Sequence, residues 1–232
     1  LRMELLREEG YTVTDDGARA DIVVVNTCCF IGDAKEESIN TLLEFGRLKK
    51  EGRLQVLAAA GCLAQRYREE IRREIPEVDV LVGTTAMDEI VSAVENALEN
   101  RRTDHFRELD RPPVVSRRRV ITTGGHFAYL KIAEGCNKRC SYCIIPRVRG
   151  SYRSVPMEQL VSQAEYLAEN GVKELILAAQ ETTLYGVDLY GKKMLPQLLG
   201  RLARVEGIRW IRLLYCYPEE ITEELIQVIA SE

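Results

Sequence analysis

Short apolar runs alternate with amphipathic stretches along most of the chain, and few folds accept that pattern. Residues 21–26 (Asp21-Ile-Val-Val-Val-Asn26) form a β-branched run suited to a strand buried on both faces. Before it, Met3, Leu5 and Leu6 share one face of an opening helix that stops at Gly10. A helix is expected over 33–51 with Ile39, Leu42, Leu43 and Leu48 inward, then a strand at 54–60 and a helix near 63–74. A strand at 78–82 and a helix near 86–99 complete this half. Residues 101–125 lose periodicity and carry Pro112-Pro113, three consecutive arginines (Arg117–Arg119) and Gly124-Gly125, as an interdomain linker does. The alternation then restarts, with strands at 127–133, 173–179 and 208–214 and helices near 156–169, 194–205 and 222–230. Such alternation implies parallel sheets joined by helical crossovers. The expected organisation is an α/β domain over 1–100, a linker over 101–125 and a second α/β domain over 126–232.

Parallel sheets bind ligands at the carboxyl ends of their strands. Three cysteines, Cys136, Cys140 and Cys143, follow the strand ending near Ala133 with the spacing C-x3-C-x2-C. Thiolates are soft ligands, and iron–sulfur clusters are built on them. No fourth cysteine follows until Cys216, so three thiolates would leave one iron open to a substrate or cofactor. Structural zinc prefers paired knuckles or histidines, and the chain has only His105 and His126. Buried cysteines that merely pack are the plain alternative, and Cys216 is read that way. Cys28 and Cys62 each sit just past a strand of the first half, where two residues distant in sequence can meet on one sheet edge. Cys29, one residue further along, is expected to point away from that edge.

Composition narrows the class. The chain has 232 residues, 29% charged and 46% hydrophobic, which suits an ordinary globular protein. No apolar run approaches a membrane span. A net charge of −4 gives no general attraction to nucleic acid, and the arginines at 117–119 read as a solvated linker. Seven cysteines without a secretory segment fit a reducing compartment, the cytoplasm.

The run Ala128-Tyr-Leu-Lys-Ile-Ala-Glu-Gly-Cys136 through Cys143-Ile-Ile-Pro146 and Arg149-Gly150 resembles the signature of the radical S-adenosylmethionine (SAM) methylthiotransferases. Val25-Asn-Thr-Cys28-Cys-Phe-Ile31 and Ala59-Ala-Gly-Cys62-Leu-Ala-Gln-Arg-Tyr67 resemble the N-terminal domain of the same branch. Within it, Ala179-Gln-Glu-Thr-Thr-Leu-Tyr-Gly186-Val-Asp-Leu-Tyr190-Gly191, Trp210-Ile-Arg-Leu-Leu-Tyr-Cys-Tyr-Pro218 and Lys35-Glu-Glu-Ser38 look like the enzymes that modify a ribosomal protein rather than those that modify tRNA. Cys29 stands where a glycine is usual, and Glu181 where an aspartate is common.

The resemblance implies an N-terminal methylthiotransferase domain followed by the first half of an incomplete α/β barrel. It implies two 4Fe-4S clusters, one on Cys136, Cys140 and Cys143, the other on Cys28, Cys62 and a cysteine that would precede Leu1. SAM would bind the open iron, with Tyr142 flanking adenine, Gln180, Glu181 and Thr182 near the methionyl amine, and Arg212 pairing with the SAM carboxylate. The implied reaction replaces C–H by C–S–CH3 on the β-carbon of an aspartate in a small-subunit ribosomal protein. A low-potential electron donor would be a second partner. Both ends read as cut, and a chain of this extent is expected to be poorly active. The rival readings are a tRNA adenosine methylthiotransferase, a non-enzymatic iron–sulfur electron carrier and a zinc-stabilised binding module.

Overall fold

The computed structural model describes Arg2–Ser231, which divide into two compact units. One comprises Arg2–Arg111 with Arg139–Arg149, the other Pro112–Lys138 with Gly150 onward.

In the first unit, α1 (Arg2–Glu8) precedes β1 (Ile22–Thr27), α2 (Gly32–Lys50), β2 (Val56–Gly61), α3 (Cys62–Arg66), α4 (Arg68–Glu74), β3 (Val80–Val82), α5 (Ile90–Leu98) and β4 (Asp104–His105). The four strands form one parallel sheet in the order β1-β2-β3-β4, with Thr27 opposite Gly61 in the register. Every residue of the central strand β2 is buried, because helices cover both of its faces. Leu57 and Ala59 pack with Leu42, Leu63 and Ile71 of α2–α4. Val56, Ala58 and Ala60 pack with Ile90, Val94 and Ala97 of α5. Alanines in mid-strand let both layers of helix approach closely.

Three local expectations differ. Leu43 is 40% exposed while Leu42 is fully buried, so the inward face of α2 is narrower than its hydrophobic pattern. The helix expected near 63–74 breaks at Tyr67, whose backbone (φ −118°, ψ 39°) leaves helical geometry and separates α3 from α4. Within 101–125, Asp104–His105 pairs with β3 as an edge strand. Two residues are too few to show a period. What holds them is long-range: Arg68 and Arg72 both bond the Asp104 carboxylate.

The second unit holds β5 (Phe127–Lys131) and β6 (Ala133–Glu134). After α6 (Ile145–Arg149), which packs in the first unit, come β7 (Arg153–Ser154), α7 (Met157–Glu169), β8 (Glu174–Ala178), α8 (Val187–Tyr190), α9 (Leu195–Ala203), β9 (Trp210–Leu213) and α10 (Glu223–Ser231). Strands β5, β8 and β9 form a parallel sheet in the order β5-β8-β9. Ala128, Leu130, Leu175 and Leu177 bury against Leu160, Leu167, Leu198 and Leu202 of α7 and α9. The alternate residues Tyr129, Lys131, Trp210 and Arg212 line the other face and are exposed. The strand expected over 127–133 ends at Lys131, and Ala133–Glu134 turns into an antiparallel pair with Arg153–Ser154.

Candidate functional site

Cys28 and Cys62 stand at the carboxyl ends of the paired strands β1 and β2, on one sheet edge. Ser38 of α2 fixes Cys28: its hydroxyl accepts the Cys28 N–H at 2.9 Å and lies 3.2 Å from the Cys28 carbonyl. Cys62 is buried, and its sulfur accepts a hydrogen bond from Arg149 Nε at 3.2 Å. Gly61 precedes it with φ +113°, and a Cβ there would fall 2.6 Å from the Thr27 carbonyl oxygen, so only glycine passes. Cys29 does not point away. It is buried, and its thiol donates to the Cys62 carbonyl at 3.3 Å. The backbone has left the strand after Thr27, so strand alternation no longer sets its direction. Burial first, then the neighbouring Cys62, push the Cys29 thiol above its ordinary pKa.

Cys140 and Cys143 belong to the same unit and are half-buried. The Cys143 N–H bonds the Cys140 carbonyl at 3.0 Å, a tight turn that keeps the two residues together. With the exposed Tyr142 they line an open cavity of about 660 Å³ flanked by Arg66, Arg139 and Arg147. Helix α6, which follows, is anchored by Val148 in the core and by the Thr84 hydroxyl bonded to the Val148 carbonyl.

Cys136 belongs to the second unit. Its N–H donates to Gly150 O at 3.2 Å, and Gly135 beside it (φ +79°) has no room for a Cβ, which would lie 2.0 Å from Ser151 O. Among the described residues no three His, Cys, Asp or Glu side chains close around a single metal ion. A four-iron cluster spreads its thiolates more widely than one ion does.

At the carboxyl end of β8, Glu181 and Thr182 are fully buried and Gln180 partly so. One Glu181 oxygen accepts from the Thr183 amide at 3.2 Å and from the Thr183 hydroxyl. The other oxygen, the Gln180 amide oxygen and the Thr182 hydroxyl are buried without a hydrogen-bond partner. Unpaired buried acceptors are costly, and a ligand with donors would satisfy them. The Thr182 amide donates to Tyr215 O at 3.0 Å and clasps the loops after β8 and β9. The segment 183–194 is held down by the fully buried Tyr185, whose hydroxyl donates to Val155 O, and by Asp188, which accepts the Ser154 amide.

Arg212 lies on the open face of β9, where two of its nitrogens hold one oxygen of Glu174 at 2.7 and 2.8 Å. Four residues to which the sequence assigns no role also join the β8 end: Lys138, Tyr217, Glu219 and Glu220. Lys138 lies 3.1 Å from Glu219, 3.3 Å from Glu220 and 3.6 Å from the free oxygen of Glu181, over the ring of Tyr217. The Lys138 ammonium is held more tightly protonated than usual: burial opposes this, and hydrogen bonds to Glu219 and Glu220 outweigh it. Cys216, read as packing, is half-buried, with a thiol raised by burial and then by Glu181. The only sequence signal for Lys138 is its place inside C-x3-C.

Residues 1–83 match the family described as "Uncharacterized protein family UPF0004", and residues 130–231 match the radical SAM superfamily. The chain is 60% identical over 228 residues to the ribosomal protein uS12 methylthiotransferase RimO of Lachnoclostridium phytofermentans, covering 98% of this chain and 52% of that protein. It is 48% identical to the RimO proteins of a Thermoanaerobacter species and of Clostridioides difficile, each over 99% of this chain and 52% of the relative. The chain thus spans about half the length of the curated relatives it matches. Among solved structures, the radical SAM methyltransferase TsrM from Kitasatospora setae superposes with a TM-score of 0.60 at 15% identity, over 98% of this chain and 54% of that one. That likeness is one of fold. With three cysteine motifs in order, an α/β unit followed by a parallel sheet with its polar residues at the strand ends, and relatives alike along nearly its whole length, the chain is similar throughout to the radical SAM methylthiotransferases.

Proposed function

We propose that this chain belongs to an enzyme that methylthiolates ribosomal protein uS12 on the β-carbon of an aspartate. The observation that carries the class is the likeness to relatives so named along nearly the whole chain. The site chemistry fits the cofactors the family uses. Cys136, Cys140 and Cys143 would hold one 4Fe-4S cluster, and Cys28 and Cys62 would supply thiolates to a second. The unpaired oxygens of Gln180, Glu181 and Thr182 match the three N–H donors of an ammonium group, as the methionyl end of SAM presents. Arg212, whose guanidinium now holds a carboxylate, is the residue assigned to the SAM carboxylate, and Tyr142 to its adenine. When bound, the clusters and SAM supply the hydrogen abstraction and the sulfur and methyl groups. The chain's residues orient them: Gly135 seats Cys136, Arg149 supports Cys62, and Thr182 ties the two strand ends together.

In this reading residues 1–100 form the auxiliary-cluster domain, 101–125 the linker and 126–232 belong to the radical SAM domain. Its partners are uS12 and a low-potential electron donor, in the cytoplasm. Among the described residues no helix is long and apolar enough to cross a membrane. The test is product mass spectrometry with the reconstituted protein, SAM and a low-potential reductant, offered a uS12 peptide or tRNA. Methylthio product on the aspartate of the peptide supports the reading. Product on tRNA alone moves the chain to the adenosine branch, and cluster reduction without SAM cleavage makes it an electron carrier.

A further inference from the structure

The loops after β8 and β9 carry a charge cluster that the three cysteine motifs do not explain. Glu181, Glu219 and Glu220 face two ammonium groups, those of Lys138 and Lys193. Three carboxylates against two cations leave one negative charge over, and the oxygen without a hydrogen bond is the fully buried Glu181 Oε2. Lys138 is 3.6 Å from that oxygen, close enough to balance charge and too far to occupy its lone pair. The lysine is itself held elsewhere: by Glu219 and Glu220, and by the Tyr217 ring, 3.8 Å from the ammonium to the ring centroid. Lys193 fastens Glu220 from its other side at 2.9 Å. The result is an acceptor already desolvated and charge-compensated, with its bonding position open.

We infer that Lys138 is a positioning residue for the SAM ammonium, which through Glu181 and the 217–220 loop keeps the Gln180–Thr182 acceptors in place. The inference rests on the reading of Gln180, Glu181 and Thr182 as the ammonium site. Without Lys138, Glu219 and Glu220 repel one another and the buried Glu181 loses its nearest cation. The loop then moves off, and with it the Tyr215 carbonyl that receives the Thr182 amide. Removing one partner of a buried charge pair is far more damaging than the net worth of the pair.

The experiment measures binding by equilibrium dialysis on the cluster-reconstituted protein, with radiolabelled SAM and, in parallel, 5′-methylthioadenosine, which lacks the amino-acid end. Lys138→Met is expected to weaken SAM binding by at least about tenfold and to leave methylthioadenosine unchanged. Lys138→Arg, which keeps the charge, is expected to recover SAM binding to within about threefold. SAM binding by Lys138→Met as tight as the parent's, or tighter, overturns the inference; a tighter result would make the lysine a competitor for the site. A parent protein that binds SAM no better than methylthioadenosine instead sinks the ammonium-site reading itself. If Lys138→Met is recovered unfolded by circular dichroism, the paired variant Glu219→Gln/Glu220→Gln frees the lysine without deleting it. It carries the same expectation, and unaltered SAM binding in it is equally fatal.

Discussion

The carboxyl edges of the two parallel sheets carry opposite chemistry. In the first unit the edge collects thiols, Cys28, Cys29 and Cys62, and sets Arg149 against the Cys62 sulfur. In the second it collects oxygen acceptors, Gln180, Glu181 and Thr182, and backs them with two more glutamates. One edge gathers sulfur beside a guanidinium, the other gathers buried oxygen acceptors. Each chemistry comes from loops, while the sheets supply only the place.

The largest expected effects separate the edges by function. Cys143→Ala or Cys140→Ala should lower bound iron and sulfide and reduce 5′-deoxyadenosine formation to background. Cys62→Ala should also lower iron, yet leave 5′-deoxyadenosine formation intact while ending methylthio product. If both substitutions abolish SAM cleavage alike, the two thiol groups are not independent and the comparison breaks.

Gly135→Ala is next. It forces a Cβ against Ser151 O in a backbone region that side chains rarely adopt, and is expected to cost on the order of 3 kcal/mol. Urea unfolding followed by circular dichroism measures this, and an unchanged midpoint would mean that the loop gives way freely. Arg149→Ala should act more gently. It removes the donor to the Cys62 sulfur, and iron should leave the auxiliary site severalfold faster under a chelator. Arg149→Lys should fall between the two.

The smallest effect concerns acid. The Lys193 hydrogen bond, reinforced by Lys138, holds the Glu220 carboxyl below its ordinary pKa. A depressed carboxyl contributes stability that is present above its unfolded pKa and lost as pH falls through the folded one. The melting temperature should therefore drop as pH falls from about 5 toward 3, and Glu220→Gln should flatten part of that drop. A Glu220→Gln protein with the parent's acid profile would show that the cluster adds nothing to folding.

The major elements were legible because each is several residues long and repeats its own period. The burial of β2 on both faces follows from its unbroken apolar run, and Leu160 and Leu167 follow from a helical stripe. Short elements left no period to read. The two-residue strands β4, β6 and β7 are held by partners far along the chain, and α6 is one turn anchored by Val148. The direction of Cys29 was misread for a related reason: alternation describes a strand, and the chain has stopped being one at that point.

Sequence by itself determined the parallel α/β class, the spacing of Cys136, Cys140 and Cys143, and the likeness to the radical SAM methylthiotransferases. These are properties of neighbours along the chain, set by covalent spacing and by the period of strand and helix. Tertiary structure alone decided that Arg149 meets Cys62, that Arg212 meets Glu174, and that Lys138 stands among Glu181, Glu219 and Glu220. Those pairs lie tens of residues apart in sequence. Their charges interact over only a few ångströms, so no partner is chosen until the strands are in register and the loops are fixed.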